Sequence, residues 1–223
     1  TLGTQTLAFP HAGFRTGPRH LAESVYKAIS TGRCLMAQAP TGIGKTVGTL
    51  FPMLKALAPQ RLDKVFFLTA KTPGRKLALD AARVITQSAP SMPLRVLEMI
   101  ARDKACEHPD KACHGEACPL ARGFYDRLPH ARAAASQITL LDQAALRDIA
   151  LAHDICPYYL SQEMARWADV VVADYNYYFD FSALLFGLAQ ANGWTVATLV
   201  DEAHNLVERG RQMYRATLDQ SAL

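Results

Sequence analysis

The sequence lacks a long apolar run. No stretch of this 223-residue chain approaches the roughly 18 consecutive apolar residues that a membrane-spanning helix needs. Its opening, TLGTQTLAFPHAGFRTG, has no apolar segment of the kind a secretory signal requires. A strong charge imbalance is missing too: the net charge is +4, which permits a nucleic-acid partner without demanding one. Charged residues make up only 20% of the chain and hydrophobic ones 50%, which excludes a disordered sequence and suffices for one or two packed domains. Cysteine is scarce, at five residues, and the number is odd. A clustered, odd set without a signal segment disfavours a disulfide framework and favours metal or redox use. A soluble, cytoplasmic protein with no membrane partner is expected. A start at Thr1 and an end at LDQSAL suggest a fragment.

What is present begins with CLMAQAPTGIGKTVGTLFPMLKAL. Cys34 to Ala39 is a short apolar run that suits a buried parallel strand, and Val47 to Leu57 has a helical pattern. Between them lie Thr41, Gly42, Ile43, Gly44, Lys45 and Thr46, in the pattern [AG]-x4-G-K-T with Ala39 at the first position. Glycines let backbone N–H groups turn around phosphate oxygens, and the following helix start adds partial positive charge. Lys45 then reaches the β- and γ-phosphates and the Thr46 hydroxyl ligates Mg²⁺. The alternative is a glycine-rich strand-to-helix turn without a ligand.

WTVATLVDEAHNLVERG supplies a partner for that loop. Thr195 to Val200 reads as a strand ending in Asp201, Glu202, Ala203 and His204. At such a strand end an Asp holds Mg²⁺ and a neighbouring Glu orients the attacking water. On its own the tetrapeptide could also be a helix N-terminal capping sequence, since Asp is common at a helix start. In DKVFFLTAKTPGRKLALDAARVI, Val65 to Ala70 is a buried strand and Lys76 to Ile85 an amphipathic helix. This alternation argues an α/β fold: a parallel sheet covered by helices. Thr69, Lys71 and Thr72 fall on the same rim as the phosphate loop, where they meet a ligand or a nucleic-acid backbone, or form an ordinary polar turn.

From Leu94 the alternation stops, and a mostly helical insert carries four cysteines. Cys106, Cys113, Cys118 and Cys156 are separated by six, four and thirty-seven residues, with Pro directly after Cys118 and Cys156. Structural zinc sites usually contain tight pairs such as C-x2-C, and there is none here. Three close cysteines and a remote fourth suit iron–sulfur ligation, four thiolates sufficing for a 4Fe–4S cluster. His108 and His114 keep zinc open as an alternative. Cys34, in the strand before the phosphate loop, reads as a small buried apolar residue.

Together QAPTGIGKT, FFLTAKT, the four cysteines in order, CPYYLSQEMARWADVVVADYNYYFD and DEAH resemble the XPD/DinG-type iron–sulfur, DEAH-box DNA helicases of superfamily two, over nearly the whole chain from about Phe14. The resemblance implies a RecA-like P-loop lobe in residues 1–99, an iron–sulfur domain inserted at 100–168, and a return to the lobe with the start of an arch region in 169–223. It implies ATP and Mg²⁺ as cofactors, a 4Fe–4S cluster on Cys106, Cys113, Cys118 and Cys156, and movement along single-stranded or forked DNA, usually 5′ to 3′, in DNA repair on the nucleoid. Lys45 and Thr46 would bind phosphate and Mg²⁺, Asp201 would coordinate Mg²⁺, Glu202 would activate water, and His204 would relay nucleotide state. Pro18 stands where such helicases often carry an adenine-reading Gln. The second helicase lobe and the arch domain are missing, so weak ATP binding and poor hydrolysis by a monomer are expected.

Arg122, with Lys104, Arg127 and Arg132, surrounds the cysteines, and Tyr175, Asn176, Tyr177 and Tyr178 stand at a strand end. Arginines neutralise phosphate and aromatics stack bases, a pairing suited to single strands; scattered arginines are also ordinary solvated surface. The competing functional class is a metal-dependent nucleic-acid-binding module with an idle nucleotide site. A P-loop metabolic kinase has no support outside the loop.

Overall fold

Short apolar, β-branched runs build the centre of the molecule. The computed structural model of the chain describes residues 4, 7–10, 16–40, 44–89 and 94–218. Its five strands are β1 (Lys64–Leu68), β2 (Val96–Glu98), β3 (Leu140–Leu141), β4 (Val170–Ala173) and β5 (Val196–Val200). They form one sheet in the order β3-β2-β4-β1-β5, and every pairing is parallel. β1 sets Val65 beside Val170 on one side and Leu68 beside Val200 on the other. Parallel strands need long crossovers, and helices supply them. α1 (Thr16–Ser30) and α2 (Lys45–Ala56) precede β1; between strands lie α3 (Thr72–Gln87), α4 (Arg102–Ala105), α5 (Phe124–Ser136), α6 (Gln143–Ala152), α7 (Pro157–Met164), α8 (Asn176–Phe179) and α9 (Leu184–Asn192); α10 (Asn205–Met213) follows β5.

Side chains alternate across a strand, so each strand feeds two cores. Phe66, Leu68, Val171 and Ala173 pack with Leu128, Leu146, Leu160 and Leu185 of α5, α6, α7 and α9. Val65, Phe67, Val170 and Val172 pack on the opposite face with Leu50, Leu54, Ala82 and Ile85 of α2 and α3. Full burial of one such side chain contributes ~1.5–3 kcal/mol. Cover on both faces explains why β1 and β4 are continuously apolar rather than alternating. The α/β class expected from the alternation is therefore present. Among the described residues no helix is long and apolar enough to cross a membrane.

Three elements differ from the sequence reading. Cys34 to Ala39 forms no strand: residues 33–40 have no ladder, Cys34 is exposed, and Met36 is 98% exposed. An apolar run records a tendency to be buried, but a strand also needs a neighbour to pair with. β5 stands at the sheet edge with β1 as its pairing partner. The stretch read as ending the alternation instead contains β2 and β3, paired through Val96–Leu140 and Leu97–Leu141. Helix α3 starts at Thr72 rather than Lys76, because a Pro in the first turn lacks only an N–H that would be unpaired anyway.

Candidate nucleotide site and cysteine cluster

The described part of the phosphate loop is Gly44, Lys45 and Thr46; Thr41, Gly42 and Ile43 lie outside the described residues. Gly44 caps α2 with φ +79°, a left-handed conformation that costs any residue with a Cβ. Its carbonyl accepts the Gly48 N–H at 2.9 Å. The N–H groups of the first turn of this twelve-residue helix have no intrahelical acceptor, which leaves partial positive charge at the loop. Pro18, read in place of an adenine-contacting Gln, lies in α1, and its carbonyl is 3.6 Å from where a Gly48 Cβ would stand.

β5 delivers the carboxylates. The Asp201 N–H bonds the Leu68 carbonyl at 2.8 Å and so carries the β1–β5 ladder one residue past the strand. Glu202 then turns with φ +53°. α10 begins at Asn205, whose side-chain amide donates to the Glu202 carbonyl at 3.0 Å. The turn sends the two carboxylates to different neighbours. Glu202 Oε1 lies 3.5 Å from Lys45 Nζ across 157 positions of sequence, and its Oε2 lies 3.5 Å from His204 Nδ1. Asp201 is half-buried beside α3, with Oδ2 3.4 Å from where a Gly74 Cβ would stand. Burial first, and then the charge of Glu202, push the Asp201 carboxyl above its ordinary value; Lys45 pulls it back. A half-buried carboxylate that is short of positive charge fits a cation.

Tyr175 holds this turn from beneath. It follows β4, is fully buried, and donates its hydroxyl to the carbonyls of Asp201 and Glu202, the second at 3.0 Å. Burial, then Asp201 and Glu202, push its phenol up to about 12, so the hydroxyl keeps its proton. Asp174 next to it accepts from Arg209 of α10 at 2.5 Å. The expectation that Tyr175 touches DNA is therefore corrected: a ring with no exposed surface cannot stack on a base. Thr69 is corrected for the same reason, being 2% exposed and packed under Gly74. Tyr177 is half-buried, and its hydroxyl donates to the Ile100 carbonyl at 2.7 Å. Lys71, Thr72, Arg122 and Asn176 are exposed, although the Arg122 Nε is engaged by the Gly115 carbonyl at 3.1 Å.

Four cysteines converge next to α7. All five cysteines of the chain are unpaired, and Cys34 is exposed on the stretch before α2 rather than buried as its setting suggested. Cys156 opens α7, with Pro157 behind it. Burial raises its thiol, the first-turn N–H groups of Tyr159 and Tyr158 lower it, and nearby Cys106 and Cys118 raise it again. Cys113 lies 3.9 Å from Arg102 Nη1; burial first, and then the nearby Cys113, raise the Tyr159 phenol. Among the described residues no three His, Cys, Asp or Glu side chains stand close enough to share one ion. Zinc needs its ligands about 2.3 Å from a single centre.

A lysine at a helix start facing an Asp–Glu pair at a parallel strand end defines the class, a P-loop nucleotide-binding lobe. The chain belongs to the DEAD_2 family, which matches residues 92–223, and to the DEAD/DEAH box helicases, which match residues 19–140. It is 28% identical over 144 residues to a regulator of telomere elongation helicase 1 homolog of Anopheles gambiae, covering 57% of the chain and 14% of that relative. The homolog from Culex quinquefasciatus is 28% identical over 129 residues, covering 51% and 13%. The chain thus spans about a seventh of the length of these relatives. A solved XPD helicase superposes with a TM-score of 0.60 at 20% identity, covering 89% of the chain and 34% of the helicase. A truncated XPD superposes with a TM-score of 0.51 at 21% identity, covering 83% and 52%. The expected RecA-like lobe is supported at the level of fold.

Sequence reasoning missed Tyr175 as a support for the turn, the Asp174–Arg209 pair and Gly74. The spacing of Gly74 after FFLTAKTP was visible, but its closeness to Asp201 depends on how α3 crosses the ends of β1 and β5.

Proposed function

We propose that the chain is the nucleotide-binding lobe of an ATP-dependent DNA helicase that moves 5′ to 3′ on single-stranded DNA and opens forks beside a 4Fe–4S-bearing insert. The observation that carries this reading is the meeting of Lys45 with Glu202, beside Asp201, at the mouth of α2. Residues 1–99 and 169–223 make the lobe and 100–168 the insert. The greater length of the relatives supports a second lobe and an arch domain that complete the machine. A cytoplasmic location, with work on the nucleoid, belongs to the same reading.

Each residue then has a task. The phosphate of ATP competes with Glu202 for the Lys45 ammonium, which releases Glu202 to accept a proton from water. Thr46 and Asp201 hold Mg²⁺, which neutralises charge on the phosphates when bound. His204, against Glu202, orients that carboxylate. Lys71, Thr72, Arg122 and Asn176 supply exposed polar contacts for the DNA backbone. Cys106, Cys113, Cys118 and Cys156 hold the cluster, which ties the turns of the insert together.

The test is DNA-stimulated phosphate release by the full-length protein, with metal and sulfide content measured on the same anaerobic preparation. Lys45→Ala should lower turnover by at least ~10²-fold. About four irons and four sulfides per chain are expected. One zinc and no sulfide would make the insert a zinc module. Absence of turnover, with DNA binding intact, would favour a nucleic-acid-binding module whose nucleotide site is idle; the unpaired stretch before α2 is the observation on that side.

A further inference from the structure

We propose that Tyr175 is a positioning residue for the two carboxylates, its hydroxyl clamping the peptide that joins them and Arg209 bracing the helix that follows. This rests on the nucleotide-site reading above and adds to it a residue that never touches the reacting atoms.

The geometry is specific. A phenol has one proton, and here it is shared between two successive carbonyls, those of Asp201 and Glu202. Those carbonyls flank Glu202, which holds a left-handed backbone that residues with a Cβ disfavour. A conformation of that kind persists only where its surroundings determine it. Tyr175 is suited to do so because its ring is fixed. It is fully buried, it packs edge-on against Phe179 with centroids 6.4 Å apart, and its own carbonyl accepts the N–H of Tyr178 and of Phe179 in α8. On the other side of the turn, Arg209 reaches from α10 to Asp174, the neighbour of Tyr175. The turn is therefore held to the end of β4 by two ties, one on its main chain and one on its outgoing helix.

Without the hydroxyl, the Asp201–Glu202 peptide can rotate. Glu202 then loses its aim at Lys45, and Asp201 its aim past Gly74. Substrate contacts at α2 are untouched. The loss should therefore fall on turnover and on the cation requirement rather than on the affinity for ATP.

The experiment is steady-state DNA-stimulated ATP hydrolysis by the full-length protein, as a function of ATP and of Mg²⁺, in wild type, Tyr175→Phe, Arg209→Gln and Lys45→Ala. Tyr175→Phe should lower kcat by ~10-fold, the equivalent of one well-placed hydrogen bond, with the KM for ATP within ~2-fold and half-saturation by Mg²⁺ raised several-fold. Arg209→Gln, on the partly exposed side of the brace, should shift the same quantities in the same direction by less, and serves if the Phe variant does not fold. A merely structural Tyr175 would lower the unfolding temperature and leave kcat and the Mg²⁺ requirement of the folded enzyme at wild-type values, which would overturn the proposal. Wild-type kcat in Arg209→Gln and in any folded Tyr175→Phe, with Lys45→Ala inactive, overturns the positioning role alone. Wild-type turnover in Lys45→Ala overturns the nucleotide-site reading and this inference with it.

Discussion

Glu98→Gln tests how the sheet is tied to its helices. Glu98 ends β2 and Arg75 lies in the first turns of α3; their side chains are 11% and 8% exposed, with Arg75 Nε 3.6 Å from Glu98 Oε1. The other carboxylate oxygen accepts the Gln143 N–H at the start of α6, at 3.0 Å. Arg75 also donates from Nη2 to Thr72 Oγ1 at 3.2 Å, while its buried Nε has no hydrogen-bond partner. Two unit charges at that separation attract by ~4–5 kcal/mol at an effective dielectric constant of about 20. Gln keeps the shape of the side chain and an oxygen for Gln143, and removes the charge. It leaves a guanidinium buried without a counter-charge, a situation that costs ~3–5 kcal/mol. For a chain of this size each kcal/mol moves the midpoint by ~2–4 °C, so thermal unfolding should shift down by ~6–20 °C. Urea unfolding of Glu98→Gln, Arg75→Met and the double variant completes the cycle. The double variant buries no charge and should recover most of the loss. A Glu98→Gln loss under ~1 kcal/mol, or a double variant no more stable than Glu98→Gln, would refute the reasoning.

Two further outcomes follow from the same geometry. Gly74→Ala would normally gain up to ~1 kcal/mol of helix propensity. Here its Cβ would stand 2.3 Å from the Thr69 Oγ1 and 3.4 Å from Asp201 Oδ2, so a net loss of ~1–3 kcal/mol in urea unfolding is expected, and a stabilised variant would show that α3 can slide away. Lys64 Nζ donates to the carbonyls of Arg166 at 2.8 Å and Ala168 at 2.5 Å, over the Trp194 ring, yet burial lowers its ammonium from 10.5 to about 8. The unfolded chain then binds more protons between those values. The charged lysine penalises folding below pH 8, and the penalty lifts as pH rises towards 10.5. The stability of wild type relative to Lys64→Met should rise by ~2 kcal/mol from pH 7 to 10, and a flat difference would show the ammonium to be fully accommodated.

The parts of the fold that could be read in the sequence are those whose chemistry is written in one short segment. VFFL and VVVA read as strands because a sheet covered on both faces suits short β-branched and aromatic apolar runs, and Gly-Lys-Thr followed by a helical pattern needs no tertiary knowledge to suggest phosphate. β2 and β3, of three and two residues, are too short to show a period; their pairing is decided by α3 and α5 carrying them to the β4 side of the sheet, where β3 forms the edge. Cys34 to Ala39 misled because hydrophobicity does not name a partner strand. Tyr175 misled because a phenol suits a base stack and a buried carbonyl clamp equally well. What separates those roles is which way the chain turns after β4, and that depends on α10 lying across it.

The way α5, α6 and α7 roof one face of the sheet has a consequence for modularity. In the linear chain the cysteine-bearing stretch looks like a cassette that could be cut at its ends and moved to another motor. In space its Leu128, Leu146 and Leu160 close the same core as Phe66 and Leu68, and its β3 extends the sheet itself. Excision would uncover the Phe66 and Leu68 face of the sheet, and the excised piece would bare Leu128, Leu146 and Leu160. Lobe and cysteine-bearing stretch thus share one hydrophobic core and one sheet.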